Sequence, residues 1–485
     1  MTAGSTRAMA VRGATWATAG IGLQRLVQTV SVLVLARLLV PEDFGLVAIA
    51  VLVLNLVNRI KTLGLHTSLV QYQGDVEAAA DACFAINGAL SGATILVLVA
   101  LSPVASMVFD PRAGALVAVM SLRLVPQTLA AVPATLAVRA LDFRKQALIQ
   151  AAEGLVGAAI AIPLAFAGWG PWALVVGFLI GSCAGAALWW VRPIWWPRWR
   201  YDRRVGEQLI QSGIKIWSAA NLALFVDSAN RLFVGGLLGV VRLGYYEIIG
   251  RIVHTPIQTL QGIHDRVAIS AFCREQDDPA RVGRWFLRLS GMMLILTSLI
   301  AGSLAVFPDL LIPTLFGPGW EAAIEPARAL AAFALLAPLV STAPVFIAAR
   351  RAGLLLKLTT VRAVLTVGAL YAAAHIGLTA VCLVESVAAL VFAPVNLAFA
   401  ARVTSIGVRS IFSTLAVPAA GLAAFVAVAA GLRQLAPESF ASPGVGALTA
   451  LLVPSAIALG ATVLTMRPHL VGELRSIVSE SFGTS

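Results

Sequence analysis

Apolar runs recur along this chain from Val27 to Leu464, many about as long as the roughly 20 residues a helix needs to cross a bilayer. That recurrence limits the possible folds more than any motif does. Hydrophobic residues make up 59% of the 485 and charged residues only 12%, about half the charged share of a soluble protein. A soluble core could not hide so much apolar surface, so the expected fold is an all-α integral membrane protein.

Polar breaks, Gly and Pro punctuation and aromatic flanks predict about fourteen transmembrane helices. They fall at 15–38, 44–65, 82–104, 114–138, 147–167, 171–191, 209–238, 244–265, 284–306, 322–348, 354–376, 378–400, 412–432 and 446–466. Lys215, Asp227, Arg231, Glu247 and Arg251 interrupt the seventh and eighth. The stretch Met1 to Ala14 carries Arg7 and Arg12, but the apolar segment after it outruns a signal peptide and lacks a small-residue cleavage site. It is expected to stay as the first span.

The formal net charge of +12 is spread in short clusters between apolar runs rather than gathered in one stripe, which argues for membrane topology and against nucleic acid. Of 35 lysines and arginines, 21 fall on one set of helix ends and loops and 4 on the other, Arg37, Arg112, Arg242 and Arg433. The rich side is predicted to be cytoplasmic in a cell inner membrane, with both termini there. The loop His66 to Ala80 is the exception, holding Asp75 and Glu77 and no basic residue. Trp189, Trp190, Trp195, Trp196 and Trp199, mixed with Arg192, Arg198 and Arg200, have the make-up of an interfacial anchor to membrane lipids. Cys83, Cys183, Cys273 and Cys382 lack metal-ligand spacing and read as packing residues. No metal or cofactor is expected.

Two short echoes suggest an internal repeat. Leu38-Leu39 followed by Phe44-Gly45 returns as Leu237-Leu238 followed by Leu243-Gly244, and Phe109-Asp110-Pro111 returns as Phe316-Gly317-Pro318. The expected organisation is two six-helix lobes, 1–195 and 208–405, followed by a helix pair and tail over 406–485.

Charged residues inside spans are costly and usually face a polar cavity, a partner or the interface. Arg25 and Gln28 share a face of the first helix with Thr18, Gly22 and Thr29; Asn55 and Arg59 share one with Asn58 and Thr62 on the second. Asp227 and Arg231 form an i,i+4 pair on the seventh. On the eighth, Glu247, Arg251, His254, Gln258, Gln261 and Asp265 step by fours and threes, as one continuous polar stripe would. Arg25, Gln28, Asn55, Arg59, Asp227, Arg231, Glu247, Arg251, His254 and Gln258 are therefore the candidate cavity residues. A surplus of arginine suits an anionic headgroup such as a pyrophosphate. Lys61, Lys215 and Arg288 lie near predicted helix ends and are expected to snorkel to the interface. No Walker A loop, HExxH or nucleophile elbow is present, so the chain reads as a carrier and not an enzyme.

The segment from Leu35 to Gly45, Leu-Ala-Arg-Leu-Leu-Val-Pro-Glu-Asp-Phe-Gly, resembles the opening signature of bacterial polysaccharide and O-antigen flippases. So do Leu63-Gly64-Leu65 leading to Leu69-Val70-Gln71, Arg139-Ala140-Leu141-Asp142-Phe143-Arg144, and Leu237-Leu238-Gly239 leading to Leu243-Gly244-Tyr245-Tyr246. That family lies in the multidrug/oligosaccharidyl-lipid/polysaccharide export superfamily. The resemblance implies two lobes around a central cavity that opens alternately to each side. It implies a lipid-linked oligosaccharide substrate, carried on undecaprenyl pyrophosphate, and a polysaccharide polymerase as a possible partner. The rival readings are a small-molecule exporter of the same superfamily and a lipid-linked peptidoglycan precursor flippase. A membrane-embedded polymer ligase would need a larger periplasmic segment than Val306 to Trp320 or Arg433 to Pro443. The signature around Pro41 also reads as a plain turn and helix start.

Overall fold

Apolar runs become defined helices where the sequence also supplies an end signal. Asp75, Asp142, Asp202 and Asp278 each precede a helix and accept a hydrogen bond from an N–H of its first turn. Pro41, Pro171, Pro279 and Pro308 occupy first turns, where a missing N–H costs nothing. The computed structural model describes residue 22 and residues 24–140, 142–198, 201–275, 277–440 and 442–466.

The described helices are α1 (Gln24–Ala36), α2 (Pro41–Thr62), α3 (Leu65–Gln71), α4 (Val76–Val108), α5 (Ala113–Ser121), α6 (Leu124–Arg139), α7 (Phe143–Phe166), α8 (Pro171–Val191), α9 (Arg203–Phe233) and α10 (Val240–Ile252). They continue as α11 (His254–Arg274), α12 (Pro279–Val306), α13 (Pro308–Phe316), α14 (Ile324–Ala329), α15 (Ala331–Val340) and α16 (Ala343–Ala348). The last four are α17 (Ala352–Ala374), α18 (Leu378–Thr404), α19 (Val408–Leu435) and α20 (Val445–Met466). Among the described residues there is no strand.

Among the described residues eleven helical segments are long and apolar enough to span a membrane, nine of them single helices and two the consecutive pairs α5–α6 and α15–α16, so the chain is a multi-pass membrane protein. The other three predicted spans coincide with α1, α9 and the α10–α11 pair. The lipid-facing character is plainest in α17, where only 6% of the apolar window is buried within the protein. Large apolar side chains such as Leu96, Met107, Val364 and Ile376 point outward, as a chain solvated by hydrocarbon allows.

The chain divides into two compact units, Met1–Gly244 and Tyr245–Ser485. In the first, α7 and α8 pack closely because glycines face each other. A Cβ at Gly177 would stand 2.8 Å from the Gly157 carbonyl oxygen, and one at Gly181 would stand 2.7 Å from that of Glu153. The two echoed segments also meet. A Cβ at Gly45 would lie 1.9 Å from the Val240 carbonyl oxygen, and one at Gly244 would lie 1.8 Å from that of Pro41. Four residues separate the partners in each segment, so the contact is reciprocal. In the second unit, Gly302 of α12 receives Phe425 of α19, and Phe307 stacks on Phe425 at 6.1 Å.

The tryptophan cluster is only partly an interfacial anchor. Trp189 and Trp195 are buried in the protein, Trp195 against Phe84 at 5.7 Å, whereas Trp196 is 64% exposed. Trp199 lies outside the described residues. Cys83 and Cys382 are buried, but Cys183 is exposed, which corrects its reading as a packing residue. The Cys273 side chain lies outside the described residues.

Acids in the segment His66 to Ala80 are each accounted for locally. Asp75 caps α4 through the Glu77 and Ala78 N–H groups, and Glu77 pairs with Arg198 at 2.6 Å.

Candidate functional site

The opening signature forms a turn and a helix start. Asp43 accepts a hydrogen bond from the Val40 N–H at 3.2 Å, while Glu42 pairs with Arg112, which also binds Asp110 at 3.0 Å. The Arg112 guanidinium holds the Asp110 carboxyl below the usual carboxylate range. Two further signature segments bind each other: Arg139 donates to the carbonyl oxygens of Leu69, Val70 and Tyr72 at the end of α3.

In the first unit Arg25 on α1 and Asn55 on α2 are exposed, and Gln28 is half-buried. Arg231 on α9 is exposed. Thr18 and the side chains of Arg59 and Asp227 lie outside the described residues. Lys61 corrects the expectation of snorkelling. It is 7% exposed, and its Nζ donates to Ser91 Oγ at 2.8 Å; Ser91 in turn contacts Thr128 Oγ1 at 2.5 Å. Proximity to a helix end is ambiguous when a neighbouring helix can supply hydroxyl partners.

One polar group in this unit escaped the stripe argument. Arg123 Nε donates to Ser182 Oγ at 2.7 Å, and Glu153 Oε1 lies 3.1 Å from Ser182 Oγ and 3.4 Å from Arg123 Nη2. Glu153 and Ser182 border a cavity of about 210 Å³ with Gln127 and Trp189. The signal was a single acid in an otherwise apolar span.

In the second unit the expected continuous stripe is broken. α10 ends at Ile252 and α11 starts at His254, because Pro256 has no N–H to offer the Ile252 carbonyl and its ring crowds that position. Glu247 and Arg251 stay on α10, half-buried and exposed respectively. His254 opens α11, and Gln258 is exposed. Gln261 Nε2 donates to the Ala337 carbonyl at 3.1 Å, and Asp265 sits 3.0 Å from His264 Nδ1.

His254 faces a partner the stripe did not identify. Its Nε2 lies 3.4 Å from Glu385 Oε2, and Tyr246 on α10 donates to Glu385 Oε1 at 2.7 Å. The Glu385 side chain is 6% exposed, and the Phe333 ring packs edge-on against His254 at 5.1 Å. A carboxylate on α18 thus reaches both sides of the α10–α11 break. Glu385 is the lone acid of α18, and a charge within a span is costly without its face being fixed by spacing.

Comparison with known proteins agrees with these features. A family model described as polysaccharide biosynthesis protein matches residues 34–325. The succinoglycan biosynthesis transport protein ExoT of Rhizobium meliloti (strain 1021) is 26% identical over 345 residues, 70% of this chain and 69% of that protein. The lipopolysaccharide biosynthesis protein WzxC of Escherichia coli (strain K12) is 22% identical over 346 residues, 68% of each. Among solved structures, the lipid II flippase MurJ in an inward closed conformation superposes with a TM-score of 0.68 at 10% identity, covering 94% of this chain and 99% of that one. That likeness shows a shared fold.

Proposed function

This chain belongs to the polysaccharide biosynthesis protein family, and on that premise we propose that it is a flippase for lipid-linked oligosaccharide. It moves undecaprenyl-pyrophosphate-linked sugars from the cytoplasmic to the periplasmic leaflet of the inner membrane, by alternating access, for assembly of a surface polysaccharide. The observation that carries this reading is the family match over residues 34–325, together with similarity to ExoT, a succinoglycan transport protein, across 70% of the chain.

The exposed polar residues on the helices support it. Arg25, Arg231 and Arg251 offer guanidinium groups, which match pyrophosphate oxygens in fork geometry. Gln28, Asn55, Arg59 and Asp227 of the first unit, and Glu247, His254 and Gln258 of the second, are the further residues proposed to contact headgroup and sugars. In this reading the charged helices α1, α9 and α10–α11 also cross the membrane, giving fourteen spans with both termini cytoplasmic. The lobes are proposed as 1–195 and 208–405, with residues 406–485 as an appended helix pair and tail. A polysaccharide polymerase is the proposed partner, and no catalytic step is assigned to the chain.

Removing the gene from a producing cell tests this reading. Surface polysaccharide should fall while its lipid-linked intermediate accumulates in the cytoplasmic leaflet, out of reach of a periplasmic glycan probe. Normal polysaccharide with no accumulated intermediate would contradict it.

A further inference from the structure

In the first unit, Gln127, Ala131 and Ala134 of α6 face Gly185 and Ala186 of α8 across a cavity of about 210 Å³, which Glu153 of α7 and Trp189 of α8 also border. Small side chains on both walls leave the helices apart here. The space holds about seven waters at about 30 Å³ each, or one pyranose ring.

Two polar groups on this cavity have no protein partner among the described residues. The first is the Gln127 side-chain amide. The second is Glu153 Oε2, because Arg123 and Ser182 both donate to Oε1. That free oxygen lies toward α8: a Cβ added at Gly185 would stand 3.2 Å from it. Gln127 and Glu153 belong to apolar segments long enough to span a membrane, where an amide or a carboxylate oxygen left unmet is costly. Water or a ligand therefore has to meet them.

The charges around the cavity narrow the ligand. Arg123 offsets the charge of Glu153, and no other charged residue borders the space among the described residues. A cation would compete with the guanidinium for one carboxylate, and an anion would face its open oxygen. An uncharged molecule rich in hydroxyls suits the groups better. Its O–H donors match Oε2, and the Gln127 amide both donates to and accepts from hydroxyls. The alanines and the Trp189 indole add apolar walls for the C–H faces of a sugar ring.

We propose that this cavity binds one uncharged sugar residue through Gln127 and Glu153. Arg123 is a positioning residue, which holds the carboxylate through Oε1 and leaves Oε2 to the sugar. The site reads the glycan, while the exposed arginines meet the pyrophosphate. That division rests on the flippase reading; sugar binding itself does not.

Saturation-transfer NMR on the full-length protein in nanodiscs tests the site, with the methyl glycosides of glucose, galactose, rhamnose, N-acetylglucosamine and glucuronic acid as probes. At least one uncharged glycoside should receive saturation, and the glucuronide should not. Gln127→Leu removes an amide that has no partner in the protein, and Gly185→Ala sets a methyl against Oε2. Each should weaken glycoside binding about tenfold, as loss of one hydrogen bond implies, with melting close to wild type. No transfer from wild type to any uncharged glycoside, or wild-type binding in both variants, would overturn the proposal and leave a cavity for water only.

Movement of a fluorescent undecaprenyl-pyrophosphate sugar in liposomes separates this site from the flippase reading. Gln127→Leu should raise the half-saturating concentration about tenfold with little change in the maximal rate. Glycoside binding by a wild type that moves no lipid-linked sugar would support the sugar site and contradict the flippase reading. Movement by a wild type that binds no glycoside would overturn the sugar site alone.

Discussion

Arg139 at the end of α6 donates to the carbonyl oxygen of Tyr72 at 2.5 Å, and the same nitrogen serves the Leu69 and Val70 carbonyls. One guanidinium thus closes the C-terminus of α3, where helix carbonyls lack partners of their own. Two signature segments far apart in sequence owe their pairing to this contact.

Arg139→Ala should therefore destabilise the α3 connection by about 1.5–3 kcal/mol, the range for hydrogen bonds to charged groups. Hydrogen exchange should quicken over residues 65–72 before it does elsewhere. Arg139→Lys should restore much of the protection, since a single nitrogen, Nη1, makes all three contacts and an ammonium carries three N–H donors. Unchanged exchange in Arg139→Ala would show that the cap is dispensable.

Ser91 is the hydroxyl that receives buried Lys61. Ser91→Ala leaves the ammonium without that partner, and the melting temperature of the purified protein should drop by the equivalent of about 1–3 kcal/mol. Replacing the lysine itself in the double variant Lys61→Met/Ser91→Ala should recover most of that loss, because an apolar pair leaves no stranded charge. Equal melting of the single and double variants would contradict the account.

His66 lies in the connector helix α3, with Thr135 Oγ1 at 3.3 Å from its Nδ1. Burial, with the Lys61 charge adding to it, pushes the imidazole down from 6.5 to about 4. The unfolded chain then binds more protons than the folded one between those values, so stability rises with pH. His66 is neutral in the fold above the unfolded value, where no stability is lost; the loss begins as pH falls through about 6.5 and levels off below about 4. His66→Asn should flatten that slope in melting curves. A slope unchanged by the substitution would assign it to another group.

Gly45→Ala places a methyl 1.9 Å from the Val240 carbonyl oxygen. The backbone must shift, and both yield and transport should fall sharply. Gly460→Ala, with nothing within 4 Å of the added Cβ, should be neutral or gain about 0.5–1 kcal/mol from helix propensity. If the two variants behave alike, the reciprocal glycine contact carries no weight.

Eleven of the spans are legible because twenty-residue apolar runs have few other uses, and Pro, Asp and Gly mark their ends. The break at Val253 was not, because the polar spacing from Glu247 to Asp265 continues in register through it. Pro256 was the only local sign, and a proline can kink a helix without parting it. The burial of Lys61 and Trp195 is hidden from sequence for a related reason. Snorkelling and burial start from the same position near a helix end, and only the packed neighbour, Ser91 or Phe84, decides between them. The partners of Glu385 are not legible in the sequence, since Tyr246 and His254 lie more than a hundred residues away.

The central proposal is that exposed arginines recognise a pyrophosphate headgroup. The most direct measurement is the initial rate of flipping of a fluorescent undecaprenyl-pyrophosphate sugar in liposomes, for wild type, Arg25→Ala and Arg251→Ala at equal incorporation. Each arginine lost should slow flipping about tenfold or more, as removal of a charge-assisted contact worth about 1.5–3 kcal/mol implies. Wild-type rates in both variants, or no flipping by well-folded wild type, would contradict it.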